Sequence, residues 1–231
     1  MNQRRNYGDE RQTFFCAHCG RWPGTADHVP SKVFLDEPYP PNLPVVGACQ
    51  SCNEGLSLDE ESVACLVEYE STGAGRVENI KREKIKHIFQ RKPHLAARVR
   101  KDRNTLTDPI LEEEGVRLRR VITKLARGHA LFELNEAQLD EPTFVRIGFL
   151  GRIKDSDLAG FERPRSLSVF PEVGSRAMQR LVLFAGHSIL EARWIVLQPQ
   201  RYRYLAFVDE QVVVRMVMSE FPACEVRWSS S

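Results

Sequence analysis

No apolar run in the 231 residues approaches the ~20 needed to cross a bilayer as a helix, and charged residues make up 28% of the chain. A transmembrane anchor is not expected. Met1 to Arg11 are polar and charged and lack the apolar centre of a secretory signal. A cytoplasmic location is therefore expected, where cysteines stay reduced and usually bind metal or do chemistry. An excess of one sign of charge is also missing, since 33 Lys and Arg stand against 31 Asp and Glu for a formal +2. There is no internal repeat, and no low-complexity segment apart from Ser229 to Ser231. What is present is 42% apolar content, enough for a real core in one medium domain or two small ones.

The charge is segregated along the chain. Residues 1–62 hold five Lys and Arg against nine Asp and Glu, whereas residues 76–131 hold sixteen against seven. An acidic head and a basic middle are followed by a nearly neutral stretch in strand-like runs. The head, to about Gly75, is punctuated by Pro23, Pro30, Pro38, Pro40, Pro41 and Pro44, so long regular elements are not expected before residue 57. So little apolar material needs a metal or disulfides to hold it. Ser57-Leu58-Asp59-Glu60 fits a capping box at the start of a helix from about Leu58 to Glu70, ending before Gly73 and Gly75.

Residues 76–103 read as one or two helices broken near Pro93. After a turn near Asp108 and Pro109, Leu118, Val121, Ile122 and Leu125 recur at helical spacing. Arg117, Arg119, Arg120, Lys124 and Arg127 lie elsewhere around that cylinder, which predicts a basic outer face. Strands are expected over Thr143–Ile153, Ser166–Phe170, Ala192–Leu197, Tyr202–Val208 and Gln211–Met218, the last two joined by a hairpin at Asp209 and Glu210.

Cys16-Ala-His-Cys19 and Cys49-Gln-Ser-Cys52 are two C-x-x-C knuckles with 29 residues between them. Four thiolates so spaced can close a tetrahedral zinc site with no open position, which makes the zinc structural. A redox role is the rival, but no thioredoxin-like βαβ unit surrounds either pair. Cys65 and Cys224 stand alone in apolar stretches and are expected to be buried. His18, His87, His94, His129 and His187 lack companion ligands at metal spacing, and Trp22, Trp194 and Trp228 are expected in the core.

Between the knuckles run Asp27-His28-Val29-Pro30 and Asn42-Leu43, and the second knuckle passes directly into Asn53. This order resembles the zinc-knuckle branch of the HNH, or ββα-metal, endonucleases, over about residues 14–70. The resemblance implies His28 as general base, Asp27 and Asn53 as ligands of a catalytic Mg²⁺ or Mn²⁺, and Asn42 as the loop residue that orients the base. The third signature position is Asn53 rather than His, and Asn42 lies seven residues before Cys49. A neutral imidazole can take a proton from water near pH 7, and a carboxylate with an amide oxygen suits a hard cation.

The expected architecture is α+β: a zinc-bound ββα nuclease module over 1–75, then a basic helical segment and a C-terminal domain containing an antiparallel sheet over 76–231. The expected activity is metal-dependent hydrolysis of DNA phosphodiester bonds, most simply of double-stranded DNA, with a protein partner or a homodimer as further associations. Family analogy adds a role as a bacterial antiphage defence effector. Phosphate contacts are assigned to Lys81, Arg82, Lys84, Lys86, Arg91, Lys92, Arg98, Arg100, Lys101 and Arg103, against the alternative of a solvated helix face. The competing function is a zinc-dependent nucleic-acid or protein binding module whose centre no longer cuts.

Overall fold

Between Trp22 and Cys49 the prolines confine regular structure to two short strands, β1 (Thr25–His28) and β2 (Val45–Ala48), and one 3₁₀ turn (Lys32–Phe34) in the long connection that joins them. They pair antiparallel, with Asp27 opposite Val46 and His28 opposite Val45. The computed structural model describes residues 10–72, 79–101, 113–163, 165–167, 170–184 and 191–229. The expected helix stop at Gly73 and Gly75, the boundary at residue 75 and the turn near Asp108 lie outside the described residues.

From β2 the chain enters α1 (Gln50–Gly55) and, after Leu56, α2 (Ser57–Ser71). The expected capping box does not form. Because α1 runs almost directly into α2, the Glu60 N–H already has the Leu56 carbonyl as acceptor, and Ser57 Oγ donates to the carbonyl of Glu54 instead. Then come α3 (Glu83–Arg91) and α4 (Pro93–Lys101), broken where Pro93 opens a new helix. The long helix α5 (Glu113–Leu134) is followed by β3 (Phe144–Phe149), α6 (Asp155–Glu162), β4 (Arg165–Ser166) and α7 (Arg176–Phe184). Five strands close the chain: β5 (Glu191–Ala192), β6 (Ile195–Gln198), β7 (Tyr202–Asp209), β8 (Gln211–Met218) and β9 (Pro222–Ser229).

The five-stranded antiparallel sheet has the order β3-β9-β8-β7-β6. Its two faces follow the two-residue period of the strands. Tyr202, Tyr204 and Ala206 of β7 and Val212, Val214 and Met216 of β8 join the main core, while Leu205, Phe207 and Val213 form a smaller cluster on the opposite face. The hairpin turns at Glu210, which has a φ of +56° and sits between the paired Asp209 and Gln211. Two expectations are corrected: the strand expected to Ile153 ends at Phe149 in a 3₁₀ turn, and the run 192–197 is interrupted at Arg193 and Trp194. The inner strand β9 lies where no strand is expected from the sequence. Of the strand expected over 166–170, Ser166 pairs in β4, and Ser168 and Val169 lie outside the described residues.

Helix α5 organises the molecule. Leu118, Val121, Ile122 and Leu125 are at most 2% exposed, each contributing about 1.5–3 kcal/mol of apolar burial. The helix contacts β7, β8 and β9 on one side and α2, β2 and α7 on others. One continuous core joins Phe34, Leu35 and Val63 of the N-terminal region to Val214 and Trp228 of the sheet. Near its C-terminal end Leu131 and Phe132 pack with Ala17, Val29 and Val46 under the first knuckle.

Gly128 permits that approach, since a Cβ there would lie 2.6 Å from Cγ2 of the buried Val29. In an exposed helix Ala would exceed Gly by about 1 kcal/mol. Here the clash with a β-branched core residue reverses the sign. Gly128→Ala is expected to destabilise by about 1–3 kcal/mol in chemical denaturation, and an increase in stability would show that α5 is not held so close to β1.

Candidate functional site

The first knuckle is a tight turn in which the Cys19 and Gly20 N–H groups both donate to the Cys16 carbonyl, at 3.3 and 2.8 Å, with Gly20 at a φ of +73°. In the second knuckle, the Cys52 and Asn53 N–H groups donate to the Cys49 carbonyl at 3.1 and 3.0 Å. The two knuckles bring the sulfurs of Cys16, Cys19, Cys49 and Cys52 within 4.8 Å of one another. A tetrahedron of Zn–S bonds of about 2.3 Å has edges of about 3.8 Å, and Cys19 Sγ and Cys49 Sγ are 3.7 Å apart. All six cysteines are free, with Cys65 and Cys224 buried as expected. Arg21 Nε donates to Cys19 Sγ at 3.5 Å. The Cys49 thiol is pushed down to about 6, first by the Ser51 hydroxyl. The four cysteines are a zinc-knuckle-like cluster that can hold a metal such as zinc.

This frame fixes the residues next to each knuckle. Ala17 N–H donates to the Gly47 carbonyl at 2.9 Å, docking the first knuckle on β2. Asn53, one residue past Cys52, donates through Nδ2 to Thr25 Oγ1 at 3.1 Å and to the Ala26 carbonyl at 3.3 Å. Helix α1 is thereby tied to β1 immediately before Asp27 and His28. The His28 ring is half-buried, and its Nδ1 has no hydrogen-bond partner among the described residues. Burial first, and then the charge of the exposed Lys32, hold its pKa below the ordinary value against the weaker pull of Asp27, which favours the neutral ring. Asn42 is exposed in the turn before β2, and no hydrogen bond joins its side chain to His28 among the described residues.

Asp27 is 5% exposed, and its Oδ2 already has two partners. His18 Nε2 donates to it at 2.9 Å, and Lys124 Nζ, reaching across from α5, lies 3.0 Å away. The same ammonium donates to Glu60 Oε1 of α2 at 2.7 Å, which also accepts the Ser31 hydroxyl at 2.6 Å. Burial works to raise the Asp27 pKa, but the His18 hydrogen bond and the Lys124 charge outweigh it and hold the carboxyl below its ordinary value. Burial likewise disfavours the charged Lys124, yet Asp27 and Glu60 hold its pKa above the ordinary one. A catalytic divalent cation on Asp27 and Asn53 does not fit this donor set, because Asp27 Oδ2 is already engaged by two donors and the charge of the carboxylate is already met by a fixed ammonium.

Of the basic face expected to point outward on α5, Arg119 and Arg120 are exposed, but most of the face grips the acidic head. Arg117 and Arg120 hold Asp59 at 2.8 and 3.0 Å, Lys124 holds Glu60 and Asp27, and Arg127 Nη1 donates to the His18 carbonyl. Several assigned phosphate contacts are internal ties as well. Arg82 is buried, donating to Asp36 at 2.6 Å and to the carbonyls of Val33 and Leu35. Lys84 donates to the Lys32 carbonyl and the Tyr39 hydroxyl, Lys92 pairs with Glu61, and Arg98 donates to Ser62, whereas Lys86 pairs with Glu83 at the surface of its own helix. Lys81 and Arg91 are exposed. Arg103 and the side chains of Arg100 and Lys101 lie outside the described residues.

Sequence reading missed His18, Lys124 and Glu60 as members of one cluster. The clue for Lys124 was Gly128 and Leu131, four and seven residues on, which mark the same side of α5 as packed. Trp228 is buried as expected, but Trp22 is 81% exposed. A cavity of about 250 Å³ lies between α6 and the sheet, where Arg146 faces Asp157 and where Arg215 and Arg227 share Glu225. None of the residues around Asp27 or the cysteines lines it. Among the described residues no helix is long and apolar enough to cross a membrane. No family model, no curated protein and no solved structure matches the chain.

Two outcomes test this construction. Cys52→Ser removes a ligand from a site whose binding energy is folding energy. It is expected to lose zinc and to melt roughly 10 °C lower, at ~2–4 °C per kcal/mol for a chain of this size, and retained zinc with unchanged melting would refute the site. The second concerns pH. A carboxyl whose folded pKa is depressed below 3.8 stabilises fully above that value and loses its contribution as pH falls through the folded pKa. An ammonium raised above 10.5 contributes fully below that value and loses its contribution as pH rises through the folded pKa. The melting-temperature gap between wild type and Asp27→Asn should be flat from about pH 5 to about pH 10 and narrow on both sides. A gap that does not change from pH 2 to pH 12 would show that Asp27 is not ion-paired.

Proposed function

We propose that the chain is an endonuclease of the zinc-knuckle HNH type that hydrolyses phosphodiester bonds of DNA, with His28 as the general base. One observation carries the reading. Asn53, held at the exit of the second knuckle, is hydrogen-bonded to Thr25 and Ala26 of β1, so the strand bearing His28 and the helix bearing Asn53 form one rigid frame around the cysteine cluster. Zinc held by Cys16, Cys19, Cys49 and Cys52 would supply only rigidity, because four sulfur ligands leave no place for water. The His28 ring, biased toward its neutral form, takes the proton of the attacking water as its oxygen bonds to phosphorus, while the bond from phosphorus to the 3′ oxygen breaks and that oxygen takes a proton from solvent. Lys32, exposed and near enough to act on that ring, offers a positive charge to a phosphate oxygen. The C-terminal sheet and its helices would supply contacts to double-stranded DNA or to a partner.

A second reading is a zinc-held nucleic-acid or protein binding module that does not cut. The observation that favours it is the engagement of Asp27 Oδ2 by His18 and Lys124, which commits the charge of the carboxylate to partners within the fold.

A supercoiled plasmid separates the two. Wild type, His28→Ala and Asn53→Ala are each incubated with Mg²⁺, with Mn²⁺ and with neither. The nuclease reading expects nicked or linear DNA from wild type and a loss of about 10²–10⁴-fold in His28→Ala, the usual contribution of a general base. Cutting by His28→Ala at the wild-type rate would remove His28 from the role. No conversion by wild type under any condition would leave the binding module.

A further inference from the structure

Asp27 and Glu60 present carboxylate oxygens to one common point, an arrangement that a hard divalent cation would ordinarily fill. Here that point is the Nζ of Lys124, 3.0 Å from Asp27 Oδ2 and 2.7 Å from Glu60 Oε1. The Lys124 side chain is 2% exposed and the two carboxylates 7% each, so the ammonium is sealed with its counter-ions. We propose that Lys124 is a resident counter-ion standing in the place of a divalent cation between Asp27 and Glu60, so that the folded chain binds neither Mg²⁺ nor Mn²⁺ at Asp27.

Three features make the substitution permanent. Lys124 sits on the helix whose Leu118, Val121, Ile122 and Leu125 form the centre of the core, so the ammonium cannot leave by a movement of α5 without unfolding the molecule. Gly128, one turn on, lets the helix lie against Val29, which keeps the lysine within reach of β1. On the other side of the carboxylate, His18 Nε2 completes the shell at 2.9 Å. A carboxylate only accepts, so Nε2 carries the hydrogen of that bond. A divalent cation at Oδ2 would have to displace two donors, and one at Oδ1 would settle on a carboxylate whose charge an ammonium of like sign already meets. Asp27 thereby acts as a positioning residue, fixing β1 one residue before His28. Lys124 acts through it.

The test reads ion binding rather than strand cutting, so it can fail while the nuclease reading stands, and the reverse. Full-length, zinc-loaded wild type is titrated with Mn²⁺ while the signal of the free ion is followed by electron paramagnetic resonance, beside Asp27→Asn, Lys124→Arg, Lys124→Met and the double variant Lys124→Met with Asp27→Asn. Wild type and Lys124→Arg are expected to deplete free Mn²⁺ no more than Asp27→Asn does. Lys124→Met is expected to take up one equivalent, lost again in the double variant, and its melting temperature is expected to rise with Mn²⁺ while that of wild type does not. One equivalent bound by wild type and lost in Asp27→Asn would overturn the proposal. A folded Lys124→Met that takes up no Mn²⁺ would overturn it too. If Lys124→Met does not fold with or without Mn²⁺, the wild-type and Asp27→Asn titrations decide alone.

Discussion

A lysine ammonium held between two buried carboxylates is costly to form and more costly to break. Removing one partner of such a group leaves an uncompensated charge in the interior, at about 3–5 kcal/mol. Lys124 therefore sets the spacing of β1 through Asp27 and of α2 through Glu60, and those two carboxylates in turn hold the first knuckle through His18 and the Ser31 loop. Without it α5 would still bury its apolar stripe. The position of β1 against that helix would then rest on Val29 against Gly128, on the packing of Leu131 and Phe132 with Val29 and Val46, and on the Arg127 bond to the His18 carbonyl.

The other ion pairs repeat the pattern at a second place. Asp36, in the connection between β1 and β2, accepts from Arg82 ahead of α3 and from Arg201 ahead of β7, and Arg201 also reaches the buried Glu68 of α2. Gln198 closes the same junction, accepting from the Asp36 N–H at 2.8 Å and donating to its carbonyl at 3.0 Å. Since apolar area alone would tolerate many arrangements of a head so poor in core residues, these directional contacts select one of them. The knuckles fix the outer end of the head, and the two charge clusters fix its inner face on α5 and on the sheet.

The parts legible in the sequence were those whose signal is local. Cysteine spacing located the four-sulfur cluster because a tetrahedral metal imposes a short, rigid loop. Helical periodicity located the buried stripe of α5, and alternation located β7 and β8. β9 escaped because Pro222, Glu225 and Arg227 break an apolar pattern, yet Glu225 is buried there by its pairing with Arg215 and Arg227. Trp22 escaped for the opposite reason, because its size argued for burial while its short loop at the knuckle offers no interior to enter. For Asp27 and Asn53 the motif order gave the right neighbourhood. It did not give the partners, which are Lys124 on α5 and His18 in the knuckle turn for Asp27, and Thr25 and Ala26 on β1 for Asn53. No sequence period links any of these pairs.

The segregation of charge along the sequence has the same explanation. An acidic head followed by a basic middle suggests a protein built to meet an external polyanion, but most of the described charges meet each other. Asp59, Glu60 and Glu61 of α2 are each paired with cations from 92 to 124, and Asp36 takes up Arg82. The basic stretch is therefore first a complement to the head. Electrostatic attraction to a phosphate backbone depends on the cations that remain at the surface, since each contributes by releasing a counterion where it meets a phosphate. Lys32, Lys81 and Arg91 are exposed, and Lys32 is the one whose charge is felt at His28. Of the ten basic residues that the composition first brings forward, Arg82, Lys84, Lys92 and Arg98 are tied to the rest of the fold, so among the described residues any recognition of nucleic acid would draw on exposed charges such as Lys81 and Arg91.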